Sequence, residues 1–181
     1  MRAMDVAEPP RLVPPTPAVR ESWLAGERAD RELDGESTEL LEQATADFDR
    51  LVAVRQGTPL MWGVPTSVFW YVSGEHYLGE LVIRHQLTPT LSESGGHIGY
   101  GISALWRGHG HGTRILAAGL VECQRIGLAD VLLTCDADNE ASRRVIVANG
   151  GVPAGRSGGE LRFWINVPSV VGEGVGSPAD Q

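Results

Sequence analysis

Apolar positions recur along this chain with two different periods, and each change of period marks an element. Leu12-Val13 predicts a short strand closed by Pro14-Pro15. Thr16-Pro17 reads as an N-cap with proline at the first helical position, followed by a short helix carrying Val19, Trp23 and Leu24. Leu40, Leu41, Ala44, Phe48, Leu51 and Val52 fall at helical spacing, which predicts one amphipathic helix begun at Ser37 or Thr38 and ended by Gly57-Thr58-Pro59. Residues 58–66 read as a loop. Val68 to Val72 then turns β-branched and aromatic, Ser73-Gly74-Glu75 forms a turn, and Tyr77 to His85 returns as a second strand.

Thr88 to Gly96 reads as a polar loop and His97 to Ile102 as a strand. Gly95, Gly96, Gly99 and Gly101 crowd that strand, which predicts a bulge or a close backbone approach. The helical period resumes at Ile115, Leu116, Gly119, Leu120, Cys123 and Ile126, and Gly127 stops it. Val131 to Cys135 has the continuous apolar character of a buried strand. Asp136-Ala137-Asp138 caps a helix over 139–148, Asn149-Gly150-Gly151 ends it, and Leu161 to Val167 is a last strand. The order is helices, an antiparallel meander, then strand–helix–strand–helix–strand. That is an α+β layout with a parallel element late in the chain.

Composition narrows the function classes. A length of 181 residues with 42% hydrophobic content suits one domain with a sizeable core. The expected division is a disordered leader over 1–10, one domain over 11–167 and a disordered tail over 168–181, the tail being rich in Gly, Ser, Pro and acid. A net charge of −8 argues against a nucleic-acid binder or a protein held to membranes by a basic patch. No apolar run approaches a membrane span. The leader carries Asp5 and Glu8 and no apolar core, so it does not read as a secretory signal, and a cytoplasmic setting is expected. Cys123 and Cys135 fall in a helix and at a strand end and are expected reduced, in or near the core.

The most informative stretch is Arg107-Gly108-His109-Gly110-His111-Gly112-Thr113, between a strand and a helix. Alternating glycines let backbone come close to a ligand. The helix that follows presents unpaired N–H groups and the positive end of its dipole, so the turn predicts an anion site suited to a phosphate or pyrophosphate. Two phosphate loops are excluded. A dinucleotide fingerprint counted from Gly108 and Gly110 needs glycine where Thr113 stands, and a P-loop needs lysine where Thr113-Arg114 follows the last glycine.

What fits is Arg107-x-x-Gly110-x-Gly112, and here the chain resembles the GNAT superfamily of N-acetyltransferases. The acyl-CoA motif of that superfamily is Arg/Gln-x-x-Gly-x-Gly/Ala. The resemblance continues through Asp138-Asn139-Glu140-Ala141-Ser142, where the family places an asparagine on the cofactor. His97-Ile98-Gly99-Tyr100, Leu133-Thr134-Cys135-Asp136 and Arg84-His85 are similar to a bacterial subgroup of the superfamily. The motif match spans about residues 66–167, and the layout extends it over 11–57. The fold it implies is a central, mixed, mostly antiparallel twisted sheet of about six or seven strands flanked by about four helices.

The implied activity is transfer of an acetyl group from acetyl-CoA, a cosubstrate, to a small-molecule or protein amine by direct attack, in a monomer or homodimer. The alternative is a CoA-binding but catalytically silent module. The resemblance places the cofactor on Ile102, Ala104, Arg107, Gly108, His109, Gly110, His111, Gly112, Thr113, Asn139 and Ser142, with Arg114 as a further cation. Ile102 and Ala104 would meet the pantetheine arm through their main chain. Many members carry a tyrosine seven residues after the motif asparagine as general acid; here Ile146 stands there and cannot donate a proton. Tyr100, Cys135 and a water are the nearby candidates to replace it, unless the thiolate leaves unaided, and His97 is the candidate base. Glu80, Arg84, His85 and Asp136 are expected to line the acceptor pocket, and Trp62 and Trp70 to pack. His109 and His111 lack a third ligand at metal spacing, so no metal is expected.

Overall fold

The computed structural model describes residue 6 and residues 8–168, so most of the expected leader and tail lies outside the described residues. The strands are β1 (Arg11–Val13), β2 (Leu60–Met61), β3 (Val64–Ser73), β4 (His76–Arg84), β5 (Ile98–Ile102), β6 (Asp130–Asp136), β7 (Val152–Ser157) and β8 (Glu160–Asn166). The α-helices are α1 (Arg20–Asp34), α2 (Glu39–Ala46), α3 (Phe48–Arg55), α4 (Pro89–Glu93), α5 (His111–Ile126) and α6 (Glu140–Ala148). At the inner end of the leader, Val6 packs against the core and the Ser73 hydroxyl donates to the Glu8 carbonyl (2.6 Å).

Eight strands and six α-helices among the described residues exceed the expected six or seven and four. The single helix expected over 40–52 is two, because Asp47 (φ −150°, ψ 85°) leaves the helical region and its carboxylate accepts from Arg50 N–H. The polar loop after β4 holds α4, capped by Thr88 with Pro89 in its first turn. The strand β7 escaped the pattern because Pro153 and Gly155 interrupt it, and its register against β8 shifts between Pro153 and Arg156.

The strands form two sheets, β1–β3–β4–β5 with β2 on β3, and β6–β8–β7, and every paired ladder is antiparallel. The mostly antiparallel arrangement is as expected, and the parallel element forms no ladder among the described residues. The strands joined by α5, β5 and β6, meet at one end and share no ladder. The expected bulge in β5 is also absent, since the β4–β5 register runs unbroken from Gly79↔Ile102 to Ile83↔Ile98. Close approach is what Gly96, and Gly79 on the facing strand β4, serve. A Cβ on Gly96 would meet the Leu132 carbonyl oxygen at 2.3 Å, and one on Gly79 would meet the Gly101 oxygen at 2.2 Å.

Two cores hold the layers. One joins both sheets to α5 and α6 through Leu81, Ile83, Ile115, Leu116, Leu133, Ile146 and Phe163. The other lies between α1–α3 and the first sheet, around Trp23, Phe48, Trp70 and Tyr77, with ring centroids 5.5 Å apart for Trp23–Phe48 and 5.7 Å for Trp70–Tyr77. Such aromatic pairs add about 0.5–1.5 kcal/mol each beyond area burial. Trp70 packs as expected, fully buried. Trp62 does not; it is exposed, with the Arg84 guanidinium 4.2 Å from its ring centre. Cys123 and Cys135 are free and buried.

Candidate active site

The site lies where the two sheets part. His97, at the point of divergence, donates its backbone N–H to Leu132 O (2.7 Å), and Leu132 N–H donates to His97 Nδ1 (2.9 Å). Beyond this link β5 is an edge. Ser103 N–H faces β4, donating to Leu78 O, so the alternation of a strand turns the N–H groups of Ile102 and Tyr100 toward the gap. The expectation of His97 as base is corrected here. Its Nδ1 is held by Leu132, its ring is buried against Trp164, and it lines none of the cavities around the gap. Burial, with the Arg84 charge beside it, holds its pKa below the usual histidine value.

A cavity of about 510 Å³ opens from the gap along the N-terminus of α5. Its floor is the glycine turn. Gly108 (φ +80°) and Gly110 (φ +77°) take the left-handed conformation that a side chain disfavours. Gly112 has a different reason: a Cβ there would meet Val145 at 3.1 Å, so its absence lets α5 and α6 close together. The first backbone bond of the turn runs from Arg114 N–H to Gly110 O, at 3.4 Å; the His111, Gly112 and Thr113 N–H groups carry no backbone bond among the described residues. These donors at the positive helix end suit a diphosphate, and Ile102, Trp106, Ala141 and Val145 give the same cavity an apolar wall suited to an alkyl arm.

Most expected cofactor residues line this cavity: Ile102, Arg107, Gly108, Gly110, His111, Gly112, Thr113, Asn139 and Ser142. Ala104 does not, because Asp30 on α1 accepts its N–H. His109 also stands outside the lining; its Nδ1 lies 3.4 Å from Trp106 O. The Arg107 guanidinium is committed elsewhere, with Nε donating to Ile102 O (2.9 Å) and Nη2 3.5 Å from Asp30 and 3.6 Å from Asp34. That leaves Arg114, whose Nη2 stands 3.9 Å from where a Gly110 Cβ would be, as the cation beside the turn. Asn139 caps α6 by accepting from Ser142 N–H (3.0 Å) through Oδ1, so its amide nitrogen remains as a donor. The His109 and His111 rings lie 6.4 Å apart, with no group of three metal-binding side chains among the described residues.

The residues expected around an acceptor divide between two smaller cavities, and one joins neither. Glu80 lines a cavity of about 310 Å³ between α1 and β5. Arg84 and Asp136 line one of about 280 Å³ between β5 and β6. His85 lines neither, its Nε2 being 2.8 Å from Ser67 Oγ. Arg84 also donates to the carbonyls of Gly95 (2.9 Å) and Gly96 (3.1 Å), clamping the segment that enters the gap. The α1-side cavity is acidic: Glu27, Asp30, Asp34, Glu36 and Glu80 face Arg31 and Arg107. Tyr100 borders all three cavities, and its hydroxyl bonds Ser142 Oγ across the gap (3.0 Å).

The model of the acetyltransferase (GNAT) domain matches residues 11–152. The chain belongs to the GNAT acetyltransferases. It shares their fold with RimL, a ribosomal L7/L12 α-N-protein acetyltransferase solved with coenzyme A, at TM-score 0.61 and 14% identity over 92% of this chain and 98% of that one. RimJ of Mycobacterium smegmatis, solved with a CoA disulfide, gives TM-score 0.60 and 21% identity over 87% and 85% of the two chains. The microcin C7 self-immunity acetyltransferase MccE, solved with acetyl-CoA and AMP, gives 0.55 and 13% over 90% and 94%. No curated protein sequence matches the chain.

As a GNAT protein the chain is an acyl-CoA-dependent N-acetyltransferase. Its tyrosine position, Ile146, is fully buried in the core, so any hydroxyl near the gap comes from elsewhere. Tyr100 and Ser142 supply one, with the Tyr100 pKa raised by burial and lowered in part by the Ser142 bond. Cys135 lies beside them, its thiol pushed up by burial and by Asp136 and Glu160. Sequence reasoning missed the acidic wall on α1. The signal was there: Glu27, Asp30, Arg31 and Asp34 repeat at three and four residues, placing charge on one helix face.

Proposed function

We propose that the protein transfers acetyl from acetyl-CoA to a primary amine by direct attack within a ternary complex. The observation that carries this reading is the shared border of two cavities along Tyr100, Gly101 and Ile102. The larger has free backbone donors at the α5 N-terminus and an apolar wall; the other is acidic. Acetyl-CoA occupies the first, its pyrophosphate on the N–H groups of His111, Gly112 and Thr113 and its arm along β5 toward Asn139. The amine enters from the second, where five carboxylates against two guanidiniums favour a cationic acceptor.

The unpaired N–H groups of Tyr100 and Ile102 are suited to hold the arm and the developing oxyanion at the gap. The Tyr100 hydroxyl, bonded to Ser142, is suited to protonate the departing thiolate. A thiol of ordinary pKa near about 8.5 makes this help modest, which fits a fold that dispenses with a tyrosine at Ile146. The test is to mix the protein with acetyl-CoA and a panel of peptides and diamines and to follow free thiol together with the mass of the acceptor. Thiol release matched by the mass gain of one acetyl group in place of a hydrogen on the acceptor is the expected result. Tight CoA binding with no release from any amine favours the silent module instead.

A further inference from the structure

Glu80 is the one carboxylate of the acidic cavity that lies on the central sheet, in β4, paired in register with Gly101 of β5. Residues opposite each other on paired strands face the same side, with backbones about 4.5–5.5 Å apart. Glu80 therefore stands across from the edge that borders the cofactor cavity. Its orientation is fixed from one side. Trp70 Nε1 donates to Oε2 (3.0 Å), and Arg55 Nε lies 3.7 Å from the same oxygen. The other oxygen, Oε1, makes no hydrogen bond among the described residues, and the side chain keeps 32% of its surface open.

Two neighbours point to a ligand here. Tyr77, only 7% exposed, lines the same cavity beside Glu80, and burial with Glu80, Glu27 and Asp30 nearby holds its phenol protonated as a potential donor. Gly101 has no structural need to be glycine: its φ is not positive and a Cβ would meet nothing within 4 Å. A glycine that neither packing nor backbone requires leaves space, and the space lies between Glu80 and the gap. The groups facing Glu80 are Arg55 from α3, Trp70 from β3, Tyr77 from its own strand, and Glu27 and Asp30 from α1.

We propose that Glu80 is the general base, its free Oε1 taking the proton of an acceptor amine that reaches the thioester over Gly101. The proposal rests on the transferase reading above. An ammonium gives one proton to Glu80, and the freed nitrogen attacks the thioester carbonyl. The N–C bond forms, the C–S bond breaks, and the nitrogen's second proton ends on the sulfur, giving amide and free thiol; Glu80 then returns its proton to water. Burial and the nearby Glu27 raise the Glu80 pKa, while Arg55 and the Trp70 bond pull it back, so the carboxylate is a stronger base than an ordinary one.

The test is Glu80→Gln, which keeps an acceptor for Trp70. With acetyl-CoA and the best peptide or diamine of the panel, kcat/KM is expected to fall about 100-fold or more. CoA affinity and Tm stay at the wild-type values. The acid limb of the wild-type pH profile, placed above the ordinary carboxylate range, disappears in the variant. Gly101→Val supplies a second readout that does not depend on Glu80 folding: a branched side chain in the opening is expected to lower kcat at least tenfold in a folded protein. Glu80→Gln within threefold of wild type with its acid limb intact, or Gly101→Val folded and fully active, overturns the base. Wild-type protein that releases no thiol with any amine overturns the transferase reading itself.

Discussion

The two cavities that meet along β5 are made of different material. The cofactor cavity is backbone: N–H groups at one helix end, two glycines in the left-handed conformation, and an asparagine whose side chain also caps α6. The acidic cavity is side chains from four separated stretches, around residues 27–36, 62, 77–82 and 99–107. Backbone donors carry no identity beyond the turn that aims them, so one short motif specifies the first cavity. The second is specified by which long-range neighbours fall together, and that is where a fold changes its acceptor.

If that contrast holds, damage to each cavity reads out separately. The largest effect is expected from Thr113→Glu. A carboxylate in the first turn of α5 suits the helix dipole and so spares the fold, yet it meets the pyrophosphate at close range. CoA affinity is expected to fall about 100-fold in calorimetry, equivalent to about 2.7 kcal/mol, with Tm unchanged or raised. Gly110→Glu is a poorer probe, since Gly110 has φ +77° and any side chain there strains the turn.

Next in size is Asp30→Ala, which removes the acceptor of Ala104 N–H and a partner of Arg107. A loss of about 1–3 kcal/mol in stability is expected by chemical denaturation, because this carboxylate ties α1 to the segment leading into α5. The acceptor KM should rise with it, while CoA affinity changes less.

His97→Asn is expected to do less and to do it through pH. The depressed histidine pKa means the unfolded chain binds the proton more readily. Its contribution to stability is therefore present above the unfolded value near about 6.5 and is lost as pH falls through that region. Asparagine keeps an acceptor for Leu132 N–H and removes the titration, so the acid loss of stability should flatten and kcat should hold. A collapse of kcat in a folded His97→Asn protein would restore histidine as the base. The smallest effect is assigned to Arg114→Ala, a threefold to fivefold loss (~1 kcal/mol) of CoA affinity that shrinks as salt rises.

The same contrast explains what the sequence disclosed. The helix α5 was legible because Ile115, Leu116, Gly119 and Cys123 recur at one period and Gly127 (φ +92°) ends it. The β3–β4 hairpin was legible for the same kind of reason, as was Asn139 at the start of α6. The split of the expected single helix at Asp47 was not, since the apolar stripe runs through both α2 and α3. The glycines in and before β5 leave a bulge or a close backbone approach open in the sequence; the choice of close approach at Gly96 and open space at Gly101 is set by β4 and β6 rather than by β5 itself. Arg107 lines the cofactor cavity as expected, but its guanidinium and the Ala104 N–H are engaged by Asp30 and Asp34, some seventy residues earlier, which no local pattern shows. Glu80 carried no local signal beyond being a carboxylate in a strand.

The central claim is that acetyl passes across β5 from one cavity to an amine in the other. The most direct measurement is a single-turnover mixing of the protein with acetyl-CoA labelled in the acetyl group and a cationic amine in excess. Label is expected on the amine as free thiol appears, at one rate, with none retained on the protein. Label held on the protein before reaching the amine, or thiol released without acylated amine, would contradict it.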